Sequence, residues 1–194
     1  AAGTGSASAA TLSSLVTGVE SLVISDLATD QAVGDVSITL DSSFTTTTFT
    51  VDASALDAGE DLTFANSAHT TTTAAATSTQ GAAAAVSVVG GAGADGITGG
   101  LQADTLVGNA GNDNLTGGAG IDNLSGGDGD DTFTVATLAH FAGLLQAETV
   151  SGGAGNDTLT VSDSGAINAP DLLGLNSVET ITFTNAAAIS TIFL

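Results

Sequence analysis

Gly90 to Thr134 reads GGAGADGIT, GGLQADTLV, GNAGNDNLT, GGAGIDNLS, GGDGDDTFT, which is five nine-residue units without a gap. A sixth unit, GGAGNDTLT, stands apart at Gly152 to Thr160. The sixth position is aspartate in every unit: Asp95, Asp104, Asp113, Asp122, Asp131 and Asp157. The eighth is always apolar: Ile97, Leu106, Leu115, Leu124, Phe133 and Leu159. Two positions depart from the pattern. Gln102 stands for the third glycine of the second unit, and Asn109 for the second glycine of the third. Each unit divides into a glycine turn, where positive φ and close backbone approach are allowed, and a short strand that points one large residue inward. An acidic, glycine-rich flexible linker is the competing reading. A linker gives no reason for an apolar eighth residue in every unit.

The six units resemble the calcium-binding nonapeptide of the RTX (haemolysin-type) family, G-G-x-G-x-D-x-U-x. The resemblance implies an all-β fold, a right-handed parallel β-helix or calcium-binding β-roll solenoid, in which two successive units make one coil. Turns then stack every second unit, with Asp95 beside Asp113 and Asp131 on one edge and Asp104 beside Asp122 on the other. It implies several calcium ions. The ligands would be the side chains of Asp95, Asp104, Asp113, Asp122, Asp131 and Asp157. Backbone oxygens would come from the turns at Gly91, Gly93, Gly100, Gly111, Gly118, Gly120, Gly127 and Gly129. Asp157 is expected to return to the first edge and stack on Asp131 if residues 135–151 replace one unit on the other; the alternative is that it caps a separate β-helix. Stacked carboxylates repel unless a cation lies between them. Calcium takes 6–8 oxygens and accepts carboxylates mixed with carbonyls, whereas magnesium demands tighter octahedral geometry. The block holds no His or Cys, which argues against zinc and copper. Asp128 and Asp130, the extra acids of the fifth unit, are read as facing solvent.

Composition points the same way. The chain has no Lys or Arg and 21 acidic residues, a formal charge of −21. Nucleic acid and anionic membrane surfaces both require basic contacts, so neither is an expected partner. Carboxylate repulsion must be relieved by metal, screening or spacing. The 42% hydrophobic content separates the chain from disordered acidic tails. Much of it is Ala and Val, which suits a thin solenoid core. With no cysteine, disulfide staples are excluded, and bound calcium can take their stabilising role. No run of about eighteen strongly apolar residues suggests a membrane span, and no signal-peptide pattern opens the sequence.

Three regions follow. Residues 1–89 form a β-helix-like, Ala/Thr-rich region. It has a Gly/Ser/Ala lead-in over Ala1–Ala10 and strands at Val19–Ile24, Val36–Leu40, Phe44–Val51 and Asp61–Phe64. Turns are expected at Gly34-Asp35 and Asp57-Ala58-Gly59, and rungs or loop over Thr70–Gln80. Residues 90–134 form the RTX roll. Residues 135–194 hold an excursion with helical spacing over Thr137–Gln146, the sixth unit, a turn at Asn168–Leu175, a strand at Val178–Phe183 and a further strand at Ile189–Leu194. His69 and His140 are read as surface or packing residues. Neither a zinc-protease motif nor a nucleophile elbow occurs. Acid pairs for glycoside hydrolysis are present by type, but the calcium repeat already accounts for the clustered aspartates. The reading is therefore not an enzyme.

Beyond the repeat, the chain is similar in composition to RTX-type bacterial surface-layer proteins, which interleave GGAGND blocks (here Gly152–Asp157) with V-E-T-I strands (here Val178–Ile181). That similarity implies a bacterial, extracellular, type I-secreted structural protein. It would build or anchor a lattice or filament by self-association, with a cell-surface glycan as a further partner. The alternatives are a calcium-folding module of a secreted RTX enzyme and an adhesin module. Val16–Leu22 echoes Leu175–Ile181, so the chain is expected to be a module of a longer protein or to pack end-on against its own copies.

Overall fold

A computed structural model describes residues 8–12, 21–24, 35–40, 48–57, 59–66, 85–135, 148–162 and 174–184. All elements assigned among them are strands. The first six are β1 (Ser8–Leu12), β2 (Ser21–Val23), β3 (Val36–Leu40), β4 (Thr48–Asp52), β5 (Leu62–Asn66) and β6 (Ala85–Val89). The repeat block contributes β7 (Gly96–Thr98), β8 (Thr105–Ala110), β9 (Asn114–Thr116), β10 (Asn123–Asp128) and β11 (Thr132–Val135). The last four are β12 (Thr149–Ala154), β13 (Thr158–Val161), β14 (Leu175–Asn176) and β15 (Thr180–Phe183).

Odd-numbered strands form one eight-stranded sheet and even-numbered strands one seven-stranded sheet, each in sequence order. Every pairing is parallel. The chain therefore crosses to the opposite sheet after each strand and returns one layer further on. This is the parallel solenoid expected from the repeat. Within the repeat block one coil takes 18 residues, two nonapeptides, as the spacing of Asp95 and Asp113 shows. Pairing continues from β4 to β6 to β8 and from β11 to β13, so the sheets run unbroken past residues 89 and 134.

The strands form where Val, Ile, Thr and Phe alternate with small polar residues, which fits a half-buried pleated surface. In β11 the pattern is Thr132 and Thr134 outward, Phe133 and Val135 inward. Inward residues stack in columns down the solenoid. One sheet aligns Ile38, Phe64, Ile97, Leu115, Phe133, Leu159 and Ile181. The other aligns Leu22, Val51, Val88, Leu106, Leu124, Val150 and Leu175. All six eighth-position residues are buried, at 0–1% exposure.

The expected strands appear with shifted bounds: β4 runs on to Asp52 and β5 covers Leu62–Asn66, while β15 begins at Thr180; residues 19–20 and 44–47 of two expected strands lie outside the described residues. Residues 8–10 of the supposed lead-in belong to β1. In the Asp57–Gly59 turn, the Glu60 N–H donates to the Asp57 carbonyl at 3.0 Å. The helical spacing at Thr137–Gln146, the stretch Thr70–Gln80, His69, His140, and the strand at Ile189–Leu194 lie outside the described residues. So do Gly34 and most of the turn at Asn168–Leu175.

Leu115 is fully buried between Ile97 and Phe133. Leu115→Ala should cost about 2–5 kcal/mol of unfolding free energy in chemical denaturation. Leu115→Asp should cost more, because it buries an unpaired charge.

Candidate metal centre

The two edges of the solenoid are built differently from its faces. On one edge the six-residue turns Gly90–Asp95, Gly108–Asp113, Gly126–Asp131 and Gly152–Asp157 lie over one another. On the other edge, Gly99–Asp104 lies over Gly117–Asp122. The aspartates fall into two files. In the longer one, Asp95 N–H donates to Asp113 Oδ1 at 2.8 Å, Asp113 N–H to Asp131 Oδ1 at 2.8 Å, and Asp131 N–H to Asp157 Oδ1 at 2.9 Å. In the shorter one, Asp104 N–H donates to Asp122 Oδ1 at 3.0 Å. The Asp131-to-Asp157 step spans 26 residues instead of 18. The described chain leaves β11 at Val135 and resumes at Glu148, one coil beyond Asp122, and the sixth unit returns to the long file.

Each aspartate spends one oxygen on this ladder. The second oxygen has two fates. In the first turn of each file it is satisfied: Gly91 N–H donates to Asp95 Oδ2 at 2.7 Å, and Gly100 N–H to Asp104 Oδ2 at 2.6 Å. In the later turns, Oδ2 of Asp113, Asp122, Asp131 and Asp157 is buried and accepts no hydrogen bond. The backbone accounts for the difference. The second and fourth turn residues are left-handed in all four later units: Asn109 and Gly111, Gly118 and Gly120, Gly127 and Gly129, Gly153 and Gly155. Gly91, Gly93, Gly100 and Gln102 are not. Both sequence departures follow. Gln102 sits in a turn that needs no left-handed residue there, and Asn109, at φ 85°, is a residue type that tolerates the left-handed region.

Carbonyls complete the site. A Cβ added at Gly108 would collide with Asp113 Oδ2 and approach the Gly126 carbonyl; one at Gly126 would meet Asp131 Oδ2 and the Gly152 carbonyl. The missing side chain leaves room for a carboxylate oxygen and the next turn's carbonyl to converge. A Cβ at the left-handed glycine of the following turn would run into the carbonyl of Gly93, Gly100, Gln102, Asn109, Gly111, Gly127 or Gly129.

Electrostatics make these files costly without a cation. Burial raises the Asp113 carboxyl to about 7, and the Asp95 and Asp131 carboxylates push in the same direction. Burial likewise lifts Asp104, Asp122 and Asp131 to about 6. Asp95 is raised for the same reason. Among the described residues, no three carboxylate or imidazole side chains converge on one point. The donor set is therefore one or two carboxylates with main-chain carbonyls, all hard oxygens. It fits calcium and offers nothing to a thiol- or imidazole-seeking metal.

Residues 80–106, 107–135 and 143–163 match the family model of the RTX calcium-binding nonapeptide repeat, built on four copies. The chain carries RTX calcium-binding repeats. Proteins with this repeat are typically secreted by bacteria. Comparison with curated proteins and with solved structures gives no match. Among the described residues no helix is long and apolar enough to cross a membrane.

Sequence reading did not find two members of the files. Glu148, buried at 1% exposure, follows Asp122, and its carboxyl is raised to about 8 by burial, with Asp122 adding to it. Glu179 follows Asp157 and accepts its N–H through Oε2 at 2.7 Å. The signal was present: Ala147-Glu148-Thr149-Val150 and Val178-Glu179-Thr180-Ile181 place an acid two residues before an inward apolar side chain, as D-T-L does in the RTX units. Asp128 and Asp130 are exposed, as expected, and Asp130 Oδ1 accepts the Asn156 N–H at 2.8 Å in a separate outer ladder.

Two outcomes follow for calcium-stripped protein. Carboxyls raised in the fold stabilise it fully below about pH 4, their unfolded range, and that contribution disappears as pH climbs through about 6–7. The denaturation midpoint should therefore fall between pH 4 and pH 8, and millimolar calcium should remove the fall. Separately, Gly127→Ala forces a side chain into a left-handed residue facing the Asn109 carbonyl, costing more than about 1–3 kcal/mol, whereas Gly96→Ala, with open space around it, should be near neutral.

Proposed function

We propose that this chain is a calcium-dependent structural element of an extracellular bacterial surface, a lattice or filament assembled by self-association, and that it has no catalytic role. The observation that carries the reading is the pair of buried carboxylate files in a chain with no Lys or Arg. Within this sequence the only basic side chains are two histidines, so the fold depends on an ion that is plentiful outside cells. Four hydrogen-bonded aspartate pairs join successive glycine turns, three in the long file and one in the short. We assign one calcium ion to each such pair of turns, with affinity on the order of 10⁻⁴–10⁻³ M, as in extracellular modules. Carboxylate oxygens hold the ion, glycine carbonyls complete its shell, and the aspartate Oδ1 ladder fixes the spacing of the turns.

A protein of this kind has work to do as a rigid rod. Among the described residues the outermost strands, β1 and β15 in one sheet and β14 and β2 in the other, pair on one side only, which supports end-on stacking or a longer array of the same architecture.

Far-UV circular dichroism with and without a chelator, followed by light-scattering mass measurement in calcium, tests both parts. The β signal at pH 7.5 should collapse on chelation and return with calcium. The mass should rise with protein concentration in calcium only. A β signal indifferent to chelation refutes calcium dependence; a strict monomer at high concentration refutes self-assembly.

A further inference from the structure

The long file does not stop at its last glycine turn. After Asp157 the next coil crosses the same edge in three residues, Ser177, Val178 and Glu179, where the glycine turns take six. The register on either side is unchanged: Ser151 aligns with Asn176, and Thr158 with Thr180. Ser177 thus falls where Gly152 begins its turn, and Glu179 falls where Asp157 ends it. This segment lies beyond the residues that match the RTX model.

The short turn keeps the features that make the glycine turns ion sites. Asp157 is fully buried, and its Oδ2 accepts no hydrogen bond. That oxygen and the Ser177 carbonyl crowd the same point beside the Gly152 Cα. Asp131 Oδ2 and the Gly152 carbonyl do the same beside Gly126 one coil earlier. Ser177 holds φ at 49°, a left-handed value that serine rarely adopts. The change from aspartate to glutamate matches the change in turn length. The turn is three residues shorter, and with one methylene more than aspartate Glu179 Oε2 accepts the Asp157 N–H at 2.7 Å. The exposed Glu179 carboxylate is thereby anchored against a buried, open one.

We propose that Asp157, the Ser177 carbonyl and Glu179 form an additional calcium site, closed by a non-glycine turn, at the end of the long file. It rests on the calcium reading of the glycine turns. It differs from those sites in carrying a second acidic residue that reaches solvent, so it loads and empties without opening the roll.

Equilibrium dialysis of the full chain against calcium, with the parent, Glu179→Gln and Asp128→Asn compared, tests it. Glutamine keeps an acceptor for the Asp157 N–H and removes the charge. Asp128→Asn makes the same charge change at an exposed acid outside the file. Glu179→Gln should bind one calcium fewer per chain, and Asp128→Asn as many as the parent. A Glu179→Gln chain with the parent's count and affinities overturns the site while leaving the glycine-turn ions standing. A parent that binds no calcium overturns both. A crystal grown in calcium gives a second readout that does not depend on variants. An ion touching Asp157 Oδ2 and the Ser177 carbonyl is expected, and a water there overturns the proposal.

Discussion

The structure depends on carboxylates that bridge coils. Each file aspartate uses Oδ1 to hold the backbone N–H of the residue one coil earlier, at 2.8–3.0 Å within the glycine turns. This bond fixes the height of one turn over the next. It also requires the carboxylate to be buried and close to its neighbours, which water alone would not favour. Two opposing demands meet in one side chain. The geometry wants an ionised acceptor, and burial pushes the group toward neutrality. A divalent cation on the open Oδ2 resolves the conflict, because it stabilises the charged form without competing for Oδ1.

The rest of the fold positions these files. Inward Leu, Ile, Val and Phe columns lock the register, since a one-residue slip would turn every one of them outward and every polar neighbour inward. The acids cannot then miss their partners on the next coil. Toward the N-terminal end the files stop. Leu62 and Val86 donate their N–H groups to Asp95 and Asp104 but carry no carboxylate of their own. The coils around them bury Phe49 and Phe64. Carboxylates still bridge those coils, but from more exposed positions: Asp35 Oδ1 accepts the Asp61 N–H at 3.4 Å and Asp61 Oδ1 the Ala94 N–H at 2.9 Å.

Much of this was legible in the sequence because the repeat is both periodic and chemically specific. A nine-residue period with Asp at six and an apolar residue at eight dictates turns, strands and inward columns, and the strands outside the repeat showed in their Val/Ile/Thr/Phe alternation. Three things were not legible. Strand ends drifted by a few residues, because pairing with the neighbouring coil, rather than local propensity, sets where a strand stops. Glu148 and Glu179 were missed because they follow a broken rhythm; their kinship with the file aspartates lies in their distance from the next inward residue, not from the last glycine. The split between satisfied and open Oδ2 atoms was also hidden. It turns on left-handed backbone at the second and fourth turn positions, and Gly91 and Gly127 are identical letters with different φ.

The central claim is that an ion on the open carboxylate oxygens holds the glycine-turn coils together. Amide hydrogen exchange at pH 7.5, resolved along the chain with and without calcium, tests it most directly. The account predicts that in calcium the N–H groups of Asp95, Asp104, Asp113 and Asp131, which donate to the next aspartate or lie within its turn, are strongly protected. It predicts that this protection is lost together across residues 90–160 when calcium is removed. Equal protection of those amides in the calcium-free chain would contradict it.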